Sequence, residues 1–246
     1  MATQGRRPAG RAGKGSPVRR NRAAPAQRFP APKPPKKTAK VVFDAPEAES
    51  EEPRTFRLGV VPGATPGRWI DAWKQRMPHV PVELVPVQVA DQNAALDDLD
   101  AALVRLPLTD ENLHVITLYD EVPVVVASID SHLLAADELS IADLAGEIVM
   151  TPTDDPLGPI DIPGALVPAF APMPVSEGIA TAAAGTGIMV VPMSLARLHH
   201  RKDVDHRRLV DGPTSTVALA WRRDHTTPDV ETFIGIVRGR TSNSSR

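Results

Sequence analysis

From Phe56 onward, short apolar runs alternate with polar loops, and the spacing of apolar positions switches between strand-like and helix-like periods. Residues 57–61 read as a buried strand and residues 62–64 as a turn. Thr65 then offers a hydroxyl to the first amides of a helix over 66–77 that has Pro66 at its first position. Trp69, Ala72, Trp73 and Met77 recur every three or four residues along one face of that helix, and Pro78 ends it. A second strand follows at 82–87, a short helix at 94–99 and a third strand at 99–106, with Arg105 near its carboxyl end.

Residues 113–128 form an apolar stretch too long for one ordinary strand and interrupted by Pro123, so two strands joined around Tyr119, Asp120 and Glu121 are expected. Such a joint suits a crossing between lobes. Ser140 caps a helix over 141–145, and residues 147–150 start another strand. Residues 151–174 then contain seven prolines and no period. Ser176 and Glu177 open a small-residue helix over 178–184, Gly185-Thr186-Gly187 breaks it, and residues 188–191 read as a buried strand leading through Pro192 into a helix over 193–200. A strand at 216–221 and a helix at 228–238 complete an α/β order.

No such pattern exists before Phe56. Nine prolines and very few large apolar residues between Met1 and Pro53 leave too little to bury against the entropy of ordering, so residues 1–54 are expected to be a disordered basic, proline-rich tail ending in an acidic block. Residues 241–246 are expected to fray.

Charge sharpens that division. The net charge of −2 hides seven arginines and five lysines without a single acid in residues 1–40, against all 30 acids and the other 16 cations in the remainder. A basic segment of this kind suits nonspecific nucleic acid, an acidic partner or an anionic membrane, or serves as a solubilising or charge-masking arm. With 246 residues and 42% hydrophobic content there is material for a substantial core, and no cysteine for a disulfide, thiolate metal site or cysteine nucleophile. No stretch approaches the length of a membrane helix and no signal peptide is visible, so a cytoplasmic location is expected, with no membrane partner.

Catalytic motifs are not found. Gly185-Thr186-Gly187 lies between a helix and a strand, the reverse of a dinucleotide fingerprint, and no Lys-Ser or Lys-Thr follows Gly63 to Gly67 as a phosphate loop requires. His199, His200, Asp203, Asp205 and His206 resemble a metal cluster, but Arg201, Lys202, Arg207 and Arg208 flank them, which favours a solvated connection. The expectation is no metal, no cofactor and no enzyme. The first turn of the helix after Thr65 remains a place where a carboxylate or phosphate can sit, and Arg105 either grips an anion or makes a surface ion pair.

Several segments in order are similar to the effector-binding (substrate-binding) domain of LysR-type transcriptional regulators. They are FRLGVVPGATPGRWIDAWKQRMPHVPVEL, LDAALVRLPL, LYDEVPVVVASIDSHLLAADELSIADLAGE, SEGIATAAAGTGIMVVPMSLARL and LAWRRDHTTPDVETFIGIV. The resemblance implies a two-lobed type II periplasmic-binding-protein-like fold over 55–240, with lobe I at about 55–118 and 218–240, lobe II at about 123–213, and a small ligand between them. The family's ligand contacts then fall on Ala64, Thr65 and Gly67, on Arg105 and Leu106, on Thr151, and on Val175, Ser176 and Glu177. Its side-by-side pairing places Trp69, Trp73, Met193 and Leu195 at a homodimer interface. The resemblance stops at the front, where a LysR-type regulator carries a winged helix-turn-helix and this chain carries the basic segment, so no sequence-specific DNA reader is expected here. The resulting expectation is a small-molecule, anionic-metabolite sensing module; the alternative is an adaptor with a vestigial cleft whose basic tail meets nucleic acid or an acidic partner.

Overall fold

The computed structural model describes residues 53–154 and 156–239. The expectations of a disordered tail over 1–54, of no sequence-specific DNA reader and of fraying over 241–246 fall almost wholly outside those residues. The described residues form two five-stranded sheets, each carrying apolar side chains on both faces.

The first sheet has the order β2-β1-β3-β10-β4, built from β1 (Phe56–Val60), β2 (Val82–Pro86), β3 (Ala101–Arg105), β4 (Leu113–Glu121) and β10 (Ser215–Arg222). β1 is parallel to both β2 and β3, whereas β10 runs antiparallel to β3 and β4. Alternation decides its two faces. Phe56, Leu58, Ala101, Leu103, Val217 and Leu219 meet helices α1 (Gly67–Arg76) and α5 (Pro228–Val237), while Ala102, Val104, Ala218 and Ala220 face the side covered by the short α2 (Gln92–Ala95). Phe56 stacks on Trp73 at a ring separation of 4.6 Å, Phe233 lies tilted to Phe56 at 5.1 Å and edge-on to Trp73 at 5.9 Å, and Trp73 Nε1 donates to the Val80 carbonyl at 2.8 Å. At Gly59 any larger residue would collide, since a Cβ would lie 2.6 Å from Leu99. The helix α5 has a true side-chain cap: Thr227 accepts from the Val230 amide at 3.3 Å, with Pro228 at the first helical position.

The second sheet, order β6-β9-β5-β8-β7, comprises β5 (Pro123–Ser128), β6 (Glu138–Leu139), β7 (Val149–Met150), β8 (Ile188–Pro192) and β9 (Val204–Leu209). One face packs on α3 (Val175–Ala183) and α4 (Met193–Leu198), the other under 3-10 turns at His132–Ala135 and Ile141–Leu144. Leu157, Ile160 and Ile162 of the proline-rich segment add to this second cover. Gly178 lets α3 approach β8 closely, as a Cβ there would fall 1.8 Å from Met189.

Several expectations are corrected. Thr65 does not cap α1: Pro66 holds the N-cap position, its carbonyl accepts from Trp69 and Ile70, and Thr65 stands one residue too early to reach the helix amides. The joint between β4 and β5 is the single residue Val122, because Tyr119 to Glu121 stay paired with β10. The segment read as a solvated connection contains β9, which pairs antiparallel with β5 and parallel with β6. Only Val204 and Leu209 are apolar in that strand, too few to reveal it by period. Trp73 and Leu195 are fully or almost fully buried in their own lobes' cores, and Trp69 is 8% exposed, so these three side chains offer a partner little surface.

Candidate functional site

Strand direction determines where a ligand can meet both sheets. β1 and β3 run parallel, so Val60 and Arg105 end on one edge of the first sheet. The chain leaves that sheet at Glu121, enters the second at Pro123, and returns between Leu209 and Ser215. Pro123 pairs with Pro192 at the end of β8, and β7 runs parallel to β8, so Thr151 follows β7 toward that same crossing edge. The carboxyl ends of strands from both sheets therefore converge on the crossings, the position where open α/β sheets bind ligands.

Arg105 sits at the centre of that convergence. It extends the row of Ala101 and Leu103, so its side chain emerges on the α1 side of the sheet, beneath the loop that follows β1. It is only 2% exposed and ion-pairs with Glu121, itself 7% exposed. Nη1 also donates to Ser215 Oγ at 2.7 Å, and Nη2 donates to the Pro62 carbonyl at 3.0 Å and to Ser194 Oγ at 3.4 Å. Its backbone is clamped separately: the amide donates to Gln92 Oε1 at 2.9 Å and the carbonyl accepts from Gln92 Nε2 at 2.8 Å.

One guanidinium thus ties both crossings, the loop after β1 and the start of α4. Of the two alternatives expected for Arg105, an anion grip or a surface ion pair, an ion pair is formed but it is buried, because β4 and β10 bring residues distant in sequence to the end of β3. Removing one partner of such a pair costs about 3–5 kcal/mol, since the other is left charged and desolvated. The arrangement also neutralises Arg105 as an anion receptor. Beside it, burial raises the Tyr119 phenol above its ordinary pKa, Glu121 adds to the rise and Arg105 opposes it.

The remaining anticipated residues lie around this edge with unequal access. Thr65 and Gly67 are exposed, whereas Ala64 is buried against the first lobe's core. Leu106 is half-buried and its amide donates to the Thr216 carbonyl at 2.9 Å. Thr151, Ser176 and Glu177 are exposed on the second lobe. Val175 belongs to that lobe's core, and its amide, the first of α3, is taken by Asp154 Oδ1 at 2.9 Å. Asp154 thereby occupies part of the helix start that was expected to face a ligand. Of the interface candidates, Met193 is half-buried at the start of α4, while exposed Leu198 closes that helix.

The sequence reading missed Glu121, Ser194 and Ser215 as members of this centre. Only Glu121 had a signal, through its place in the expected crossing. The histidine and aspartate cluster is engaged otherwise: Arg201 donates to both carboxylate oxygens of Asp203 at 2.8 and 2.7 Å, and Arg207 pairs with Asp205 at 2.9 Å. Both carboxylates are held below the usual range, mainly by those hydrogen bonds. Among the described residues no group of three or more His, Cys, Asp or Glu side chains is placed to hold a metal ion, and no helix is long and apolar enough to cross a membrane.

Known structures share this architecture. The oxidized form of OxyR superposes with a TM-score of 0.61 at 23% identity, covering 78% of this chain and 98% of that one. The BenM effector binding domain, determined with its effector benzoate, gives 0.62 at 20% identity over 77% of this chain and 95% of that one. In sequence, the Hca operon transcriptional activator HcaR of Escherichia coli (strain K12) is 24% identical over 213 residues, 78% of this chain and 70% of that protein. The two-lobed fold is thus that of LysR effector domains of the type II periplasmic-binding-protein kind. The LysR substrate binding domain itself matches residues 49–172, half of the chain, and the chain belongs to that family.

Proposed function

We propose that residues 55–239 are a small-molecule sensing module, non-enzymatic and cytoplasmic, which binds an anionic effector where the two sheets' strand ends converge and passes the change in lobe contact to a regulatory partner or a second copy of itself. The observation that carries this reading is the Arg105 centre, where one buried side chain touches both crossings and both lobes. A ligand that binds better when those contacts are closed shifts the lobes toward closure.

Because Glu121 neutralises Arg105, the anion would be held by the free first-turn amides of α1 at Gly67 and Arg68 together with the Thr65 and Ser176 hydroxyls. Thr65, no longer needed as a helix cap, is available for this. A homodimer would use the exposed apolar residues Leu84 of β2 and Leu198 of α4 in place of the buried Trp73 and Leu195.

Thermal unfolding against a panel of small carboxylates, beginning with the benzoate that BenM binds, tests the proposal. A ligand at a hundred times its Kd should stabilise the domain by about 2.7 kcal/mol, and Thr65→Val should weaken that stabilisation while leaving the ligand-free midpoint almost unchanged. Equal stabilisation of both forms would move the anion elsewhere; no stabilisation by any carboxylate would reject the anionic sensor.

A further inference from the structure

The proline-rich segment after β7 returns alongside it as an irregular strand. Ile148 bridges Leu166 and Pro152 bridges Met173, both in parallel. The bridge points are four residues apart on the β7 side and seven apart on the returning side, so the returning chain has surplus length and must arch outward between them. Beneath that arch is a cavity of about 130 Å³, lined by Met150, Val167, Pro168, Phe170 and Met173, with Thr151 at the crossing edge. No lining side chain is ionisable.

The arch is held from several directions. The Leu166 amide donates to the Glu147 carbonyl at 2.8 Å and the Thr153 amide to the Met173 carbonyl at 3.0 Å. Thr181 Oγ1 contacts Met173 Sδ at 3.5 Å. Pro168 and Pro172 restrict the arch itself, so little further ordering is required of it on binding. Yet its apolar side chains are not consumed by the core: Val167 is 90% exposed and Phe170 39%. A preformed, uncharged hollow with an unpaired apolar rim favours occupation by an apolar group. Its volume is close to the roughly 150 Å³ that an engineered apolar cavity uses to take up benzene.

We infer that this hollow is an apolar subsite for the effector, taking a six-membered ring or a branched aliphatic group of similar size, with Thr151 marking its boundary with the polar cleft. The inference rests on the cleft reading given above and adds the class of effector: a small amphipathic molecule with an uncharged hydrocarbon end. The ring or branch enters between Phe170 and Met173, and methionine, being unbranched and polarizable, adapts to its shape.

Methyl-labelled methionine NMR tests it on the whole chain, with benzyl alcohol as a neutral ring probe and benzoate as a charged one. The methyl resonances of Met150 and Met173 should move saturably with both. Ala171→Phe, an exposed lining position, should fill the hollow and weaken benzyl alcohol binding at least tenfold. If benzoate raises the thermal midpoint without moving Met150 or Met173, the subsite is overturned while the cleft reading stands. If benzyl alcohol moves those resonances equally in Ala171→Phe, the subsite is likewise overturned. If neither probe shifts the resonances or the midpoint, the apolar subsite is overturned, and the anionic-sensor reading is decided by the rest of the carboxylate panel.

Discussion

The two lobes solve the same packing problem by different means. In the first, strands of five to nine residues are sandwiched against two ten-residue helices, and an aromatic triad of Phe56, Trp73 and Phe233 closes the gap between them. In the second, two of the five strands have only two residues, and one face is covered by 3-10 turns and irregular chain. Side chains tie much of that irregular chain down, as when Arg207 donates at 2.7 Å to both the Leu134 and Ala136 carbonyls. Periodic segments make a rigid platform with little choice of shape. Irregular segments held at a few bridge points can carry a differently shaped hollow without disturbing the strands beneath.

That contrast can be broken most severely at Trp73. Trp73→Ala removes a fully buried ring and leaves the Val80 carbonyl unpaired, so unfolding by urea should show a loss of about 3–5 kcal/mol, whereas Phe170→Ala in the second lobe should fall within about 0.5 kcal/mol. A Phe170 loss as large as that at Trp73 would mean the arch is core rather than a binding rim.

A smaller effect is expected where the lobes touch. Gly63 has φ +87°, and a Cβ there would come 2.5 Å from Ser194 Oγ and 3.2 Å from Arg105 Nη2. Gly63→Ala should cost about 1–2 kcal/mol from the left-handed backbone and also push Ser194 away from Arg105. Ser194→Gly in the same chain should recover the steric part and leave the backbone part, which a double-mutant cycle separates. Absence of coupling would place the loop and α4 farther apart.

The subtlest check concerns Tyr119, the chain's single tyrosine. Since its folded pKa is raised, the stability linked to the neutral phenol is fully present below the ordinary unfolded value and is lost as pH rises through the folded one. Phenolate absorbance should therefore titrate at higher pH in the folded protein than in urea. Glu121→Gln should bring the folded midpoint down, because it removes a negative neighbour and leaves Arg105. An unmoved midpoint would separate Tyr119 from the Arg105 centre.

Much of the fold was open to reading from local pattern. Trp69 and Trp73 at helical spacing, the alternating Val217 to Trp221 run, Pro228 at a helix start, and Gly185, which adopts φ +71° after α3, each report a local constraint that survives in the folded chain. The site was less legible. Ser194 and Ser215 have no motif around them, and the charge of Arg105 has a different meaning once Glu121 is beside it. Thr65 misled for a local reason, since Pro66 moved the start of the helix one residue on.

Periodicity and the proline and glycine positions were sufficient for an α/β chain, because they reflect short-range backbone sterics and the burial of one face of each element, while the two lobes were implied by the resemblance to LysR effector domains. Tertiary structure alone decided the partner of Arg105, the existence of β9 and the hollow beneath residues 166–173. Each of these depends on which distant segments meet. A strand poor in apolar residues is stabilised by its neighbours' hydrogen bonds, an ion pair by desolvation against both lobes, and a cavity by a mismatch in length between two bridge points; none of these quantities is carried by a residue's immediate sequence.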